Sequence, residues 1–269
     1  MSVSDLRSKL TRNVKAILLY HVAGYPGPAE EIAAICRSRG ISLIEDCNNA
    51  LFATKNDLHV GAHGDFAVYS FYPNRQINAT EGGALVCKDA RIAARARRLR
   101  RFGIDGPAFR TPLGEVNPNA DIPEVGWSMT LNNFCSALGC MQLQSAEMRV
   151  EQSRRNAERL TESVRGLPGM RLVTIPTNSR PAYWVLLLLV DNNDAVLQKM
   201  RSHGVRASYV HYRNDAYSGF GALAATHLPN TTYLQRHILA IPCGWWLSDA
   251  DLCVIETALE ASSRTGGNV

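Results

Sequence analysis

The stretch Gly61-Ala62-His63-Gly64-Asp65-Phe66-Ala67-Val68-Tyr69-Ser70-Phe71-Tyr72-Pro73-Asn74-Arg75, running on to Glu81-Gly82-Gly83, carries most of the fold information in this chain. Asp65 to Phe71 reads as a strand, and Pro73 and Asn74 open a turn. Gly83 to Lys88 reads as the next strand and Asp89 to Arg101 as a helix. Upstream, Lys15 to Val22 is a near-continuous apolar run, followed by a loop with Gly24, Pro26, Gly27 and Pro28. Glu30 to Arg39 has helical spacing, with Ile32, Ile35 and Cys36 on one face, and Gly40 as a C-cap. Ile41 to Glu45 is a second apolar strand. Strand, helix and strand with unbroken apolar strands imply an α/β protein with a mainly parallel sheet covered on both faces.

Downstream, Gly103 to Gly126 is a long polar connection, and Leu131 to Val164 reads as one long helix or two. The composition shifts at Gly166-Leu167-Pro168-Gly169. A smaller α+β unit follows, with strands at Met170 to Val173, Trp184 to Val190 and Val205 to Tyr209. Its helices are expected at Ala195 to His203, Thr232 to Ile238 and Ser248 to Ala261. The expected division is a large domain over 1–148 and a small C-terminal domain over 149–269.

Composition narrows the function class. An apolar fraction of 46% and a charged fraction of 20% describe an ordinary globular protein. The net charge of +5 is concentrated at Arg91, Arg95, Arg97, Arg98, Arg100 and Arg101. Without interleaved aromatics this run reads as a solvated helix face, not a nucleic-acid site. The 7 cysteines form no C-x-x-C pair, which fits free thiols and no zinc site. Met1 to Asn13 has no apolar signal core, and Trp184 to Val190 is too short to span a bilayer. A cytoplasmic, non-membrane protein without a metal is expected.

In an open parallel sheet, ligands bind beyond the carboxyl ends of the strands. Asp46 and Ser70 fall there. A carboxylate suits a protonated heterocyclic nitrogen, and a hydroxyl suits a phosphate. Each is individually weak, since an Asp or Ser after a strand is more often a turn residue.

Their order and spacing resemble the DegT/StrS-type nucleotide-sugar aminotransferases, which bind pyridoxal phosphate (PLP). The family's S-F-x-x-x-K loop followed by E-G-G is similar to Ser70-Phe71 through Arg75 and Glu81-Gly82-Gly83. The E-D-x-x-Q motif matches Glu45-Asp46 with Asn49 at the Gln position. The H-x-x-G of a strand end resembles His21 with Gly24, and A-A-L-G-x-x-Q-L resembles Ala137-Leu138-Gly139 with Gln142-Leu143. The likeness spans residues 14 to 261. It implies a partial PLP-transferase fold in which Asp46 and Asn49 meet the cofactor ring and Ser70 its phosphate. His211 and Arg213 would lie near a nucleotide-sugar substrate, in a homodimer or a heterodimer with a full-length aminotransferase.

Departures from the family pattern define the functional expectation. Arg75 stands where the imine-forming lysine belongs, and a guanidinium stays protonated with delocalised lone pairs. Ser128-Met129-Thr130 replaces N-Y-R, and Asn49 replaces Gln. The chain also begins roughly a third of the way into family members, so a helix N-terminus that cradles phosphate is expected to be missing. The resulting expectation is a degenerate homologue that does not transaminate alone and acts by binding or as a partner subunit. The alternatives are an active PLP or pyridoxamine-phosphate enzyme, including a dehydratase, and a non-functional fragment.

Overall fold

The computed structural model describes residues 1–220 and 228–263. The tail of the expected second domain, 264–269, lies outside the described residues. The chain divides into two compact units. The first comprises Met1–His21, Gly27–Asn48 and His59–Gln144. The second comprises Val22–Pro26, Asn49–Leu58 and the chain from Ser145 onward.

The first unit holds a four-stranded sheet in the order β1 (Ala16–Tyr20), β2 (Ser42–Asp46), β5 (Phe66–Ser70), β6 (Gly83–Cys87). β1, β2 and β5 are parallel and β6 runs antiparallel beside β5. Helix α2 (Ala29–Arg39) covers one face, with Ile32, Ala33 and Cys36 against Ile17, Leu19 and Leu43. Burying each of these isoleucine and leucine side chains contributes about 1.5–3 kcal/mol. Gly40 ends α2 in the left-handed conformation, and the Ile41 N–H closes on the Cys36 carbonyl, as the sequence predicts. A short helix α1 (Val3–Lys9), not expected from its polar sequence, lays Val3 and Leu6 on the same cluster.

The opposite face corrects one expectation. Leu18 is 57% exposed and Leu85 51%, so that face of the sheet is not covered among the described residues. The apolar runs misled because β1 in fact alternates between buried and exposed positions. Helix α3 (Ala90–Leu99) is capped by the Asp89 side chain, and its arginines lie on the surface.

Between β2 and β5, β3 (Thr54–Lys55) and β4 (Leu58–His59) form a hairpin. Its turn residues Asn56 and Asp57 both have positive φ, which suits a two-residue hairpin turn. Beyond β6 come α4 (Gly106–Phe109) and α5, a single unbroken helix over Asn133–Val164. The division between units falls within α5.

The second unit is built on an antiparallel sheet with β9 (Leu186–Val190) between β10 (Ile238–Ile241) and β7 (Met170–Leu172). A two-residue strand β8 (Ser179–Arg180) pairs with β3. Helices α6 (Asn193–Ser202) and α8 (Asp249–Ser263) and the second half of α5 close the core over Leu188 and Leu239. The Asn192 side chain caps α6 by accepting from the Ala195 N–H. Here the strand assignment changes. Val205–Tyr209 is not a strand: Ser208 makes only an isolated bridge with Ala240. The true strand is Ile238–Ile241, all four residues buried, immediately after α7 (Pro229–His237). Among the described residues, no helix is long and apolar enough to cross a membrane.

Candidate functional site

The candidate residues divide between the units. Asp46, Ser70 and Arg75 belong to the first; Asn49, His211 and Arg213 belong to the second.

In the first unit, strand register builds the site. Tyr20 pairs with Asp46, Asp46 with Val68, and Ser70 with Gly83. Side chains alternate along a strand, so Asp46, Val68 and Ser70 share the face opposite α2. Asp46 Oδ1 accepts from the Asn48 N–H at 3.0 Å and from its Nδ2 at 2.7 Å, which turns the chain at the strand end. Ser70 Oγ accepts from the Tyr72 N–H at 3.3 Å.

The following loop is tied at its base: Phe71 N–H donates to the Gly82 carbonyl and Ala79 N–H to the Phe71 carbonyl, both at 2.9 Å. The Glu-Gly-Gly run is dictated here. Gly82 has φ +117°, and a Cβ on Gly83 would lie 2.6 Å from the Tyr69 carbonyl oxygen. Arg75 N–H closes a turn on the Tyr72 carbonyl at 3.0 Å, and the Arg75 guanidinium donates to Asn74 Oδ1. Arg75 is half-buried. Burial pulls its pKa down from the usual value, while Tyr20, Asp46 and Tyr72 oppose that shift. The guanidinium remains a cation throughout any working pH range.

Gln142 on α5 holds the loop from below. Its Oε1 accepts from the Asn78 N–H at 3.0 Å, and its Nε2 donates to the Asn78 carbonyl. Each such bond is worth about 1 kcal/mol net. Gln142→Ala is therefore expected to lower Tm by about 4–8 °C and to speed proteolytic cleavage within residues 71–82. Unchanged cleavage kinetics would remove Gln142 from the loop's support.

Glu45, adjacent to Asp46 but on the α2 face, is fully buried, as is His21. Glu45 accepts from His21 Nε2 at 3.0 Å, from the N–H groups of Gly61 and His63 at 2.9 Å, and from the Gly64 N–H. His21 Nδ1 accepts from the Gly27 N–H at 2.9 Å, which leaves Nε2 as the donor. Burial pushes the Glu45 pKa up, but the bonds from His21, Gly61 and Gly64 outweigh it and hold it below the usual range. Cys47 lies near the pair, with its thiol pushed up to about 12 by burial. These three offer donor atoms within 4.8 Å of one another. Both ring nitrogens of His21 already serve hydrogen bonds, so the group acts as a buried hydrogen-bond hub. It joins the ends of β1 and β2 to the Gly61–Gly64 turn that precedes β5. The sequence signal was available: a Glu among buried apolar strand residues demands partners.

The Ser128-Met129-Thr130 segment is exposed. Ser128 bridges Arg101, and Thr130 Oγ1 donates to the Arg100 carbonyl at 3.3 Å.

In the second unit, Asn49 is buried. A Cβ on Gly24, at φ +89°, would lie 2.8 Å from the Asn49 carbonyl oxygen and 3.1 Å from the Trp184 nitrogen. That close approach explains the glycine of the His-x-x-Gly strand end. Trp184 in turn stacks on His211, with ring centroids 6.1 Å apart. His211 and Arg213 line a cleft of about 500 Å³ with Tyr209, Tyr212, Gln235 and Arg236. Arg213 is held by Asp215 on one side and by Thr232 Oγ1 at 3.1 Å on the other. That Asp215 contact raises the pKa of Arg213 and lowers that of Asp215.

Residues 1–260 match the model of the DegT/DnrJ/EryC1/StrS aminotransferase family. A GDP-perosamine synthase of Escherichia coli O157:H7 is 28% identical over 206 residues, which are 76% of this chain and 52% of that protein. A dTDP-4-dehydro-2,3,6-trideoxy-D-glucose 4-aminotransferase of Saccharopolyspora spinosa is 29% identical over 265 residues, 93% of this chain and 66% of that one. The chain thus spans between about half and two thirds of the length of these relatives. The crystal structure of the sugar aminotransferase CalS13 from Micromonospora echinospora superposes with a TM-score of 0.89 at 27% identity. That match covers 97% of this chain and 71% of CalS13.

Proposed function

The chain belongs to the DegT/DnrJ/EryC1/StrS aminotransferase family, and from that premise we propose that it binds a nucleotide-linked sugar or a full-length aminotransferase as its partner and does not transaminate alone. The family is PLP-dependent. The residues in the first unit do not fit a covalently held PLP. Arg75 offers no amine for an imine. The observation that carries the reading is Arg75 itself, in a loop whose other anchors, Ser70, Phe71, Gly82 and Gly83, are all present and structurally engaged.

The nucleotide-sugar class rests on the activities of the relatives and on the second unit's cleft. Tyr209, Tyr212 and His211 offer aromatic surface there, and Arg236 offers positive charge, a combination suited to a sugar linked to a nucleoside diphosphate. The test is borohydride reduction of the purified chain with added PLP, followed by intact mass, beside an amino-transfer assay with glutamate and a nucleotide-linked keto sugar. No lysine adduct and no transfer above background are expected. Arg75→Lys is expected to form a reducible adduct. An adduct or amino transfer by the unaltered chain would overturn the proposal.

A further inference from the structure

We infer that Arg236 is the anion seat of the second unit's cleft: the diphosphate of a ligand binds there, while Arg213 holds the wall of the cleft and takes no part in binding charge. This rests on the reading of the cleft as a nucleotide-sugar site. It adds which residue recognises the diphosphate and which way the ligand lies.

The two arginines line the same cleft in opposite states. Arg213 is satisfied within the chain. Its Nε donates to Asp215 Oδ1 at 2.9 Å, one Nη to Asp215 Oδ2 and the other to Thr232 Oγ1 at 3.1 Å. A two-pronged pair with a carboxylate offsets its charge, and its side chain is only 16% exposed. Arg236 lies one turn beyond Thr232 on α7, a spacing that puts both side chains on one face of the helix. Arg236 is exposed, and among the described residues its guanidinium makes no hydrogen bond or ion pair. The helix end that carries it is anchored, because the buried Asn193 donates through Nδ2 to the Gln235 carbonyl at 3.0 Å. A cation on a fixed element, with its donors left over, is prepared for an anionic ligand. Among the described lining residues the one carboxylate is Asp194, which accepts from the Tyr209 hydroxyl. A carboxylate repels phosphate and accepts from hydroxyls, so the diphosphate lies toward α7 and the sugar toward α6. His211, stacked on Trp184, and Tyr212, edge-on to Tyr217 at 5.9 Å, already have their rings held.

The experiment is calorimetric titration of the whole chain with GDP, dTDP and UDP, each beside its nucleoside. The diphosphate that binds most tightly is then titrated, with its nucleoside, into Arg236→Gln and Arg213→Gln, and Tm is measured for both variants. In the unaltered chain the nucleoside diphosphate is expected to bind at least about tenfold more tightly than the nucleoside. Arg236→Gln is expected to shrink that ratio to about threefold or less, with Tm within about 1 °C of the unaltered chain. Arg213→Gln is expected to lower Tm and to keep the ratio, even where both affinities fall. If Arg213→Gln does not fold, Thr232→Val, which removes one of its partners, is read in its place. A ratio near one in the unaltered chain, a ratio that survives Arg236→Gln, or a ratio lost in Arg213→Gln would each overturn the inference. A Tm loss in Arg236→Gln with the ratio intact does so too, since it assigns Arg236 to the end of α7, where a basic side chain suits the helix dipole. In all of these cases nucleotide binding itself leaves the nucleotide-sugar reading standing. A chain that binds none of the three diphosphates at about 1 mM removes both that reading and the inference.

Discussion

Glu45→Gln is expected to lower folding stability by about 3–5 kcal/mol at neutral pH. The carboxylate is buried and accepts from His21 and from the N–H groups of Gly61, His63 and Gly64. An amide of the same shape keeps one acceptor oxygen. Its NH2 group would face groups that are themselves donors, and the charge that strengthens those bonds is gone. The same residue sets an acid limit. Its pKa in the folded chain lies below the usual value, burial being outweighed by the bonds from His21, Gly61 and Gly64. A depressed carboxylate pKa contributes stability that is fully present above the unfolded value, about 4.3, and is lost as pH falls through the folded one. Urea unfolding of the unaltered chain and of Glu45→Gln from pH 7 downward reads both effects. The unaltered chain should weaken below about pH 4.3, and the variant should start weaker and lose less over that interval. A variant within about 0.5 kcal/mol of the unaltered chain at pH 7 would show that the hub does not support the strand ends.

The hub also marks what the sequence could and could not disclose. The strands of the first unit and the C-cap of α2 were legible, because Gly40 and the apolar runs are local signals. The positions of Asp46 and Ser70 at the carboxyl ends of strands, with Arg75 in the loop after β5, followed from the same signals. What the sequence did not disclose depends on contacts far along the chain. That a Glu among apolar strand residues needs partners was legible, but nothing local says that they are Gly61 and Gly64, or that Gln142 grips Asn78. Ile238–Ile241 was hidden behind a helix that runs directly into it, and the exposed side of the sheet was hidden by strands whose apolar residues fall on both faces. Asn49 looked contiguous with Asp46, yet it belongs to a different compact unit. Three residues of sequence separation say nothing about which core a side chain joins.

How Asn49's segment is held leads to the second large effect. Arg154→Met is expected to cost about 3–5 kcal/mol and to loosen residues 49–58 more than the rest of the second unit. Arg154 is only 7% exposed. Its Nε donates to the Pro181 carbonyl at 2.9 Å, one Nη to the Phe52 carbonyl at 2.7 Å and the other to Glu151 at 2.9 Å. Phe52 sits at φ +62°, a conformation that a non-glycine residue keeps only when its surroundings fix it. Replacing a buried ion by an apolar side chain is neutral where two side chains satisfy each other. Here two of the partners are backbone carbonyls, which Met cannot serve. Lysine would not rescue the site, because one ammonium cannot reach three acceptors arranged for a planar fork. Glu151→Gln should cost only about 1 kcal/mol or less, since Glu151 is part-exposed and its attraction is screened. Amide hydrogen exchange separates these cases: faster exchange confined to residues 49–58 in Arg154→Met is the expected pattern. Uniform acceleration across the second unit would mean that Arg154 supports the unit as a whole and that the Asn49 segment has another anchor.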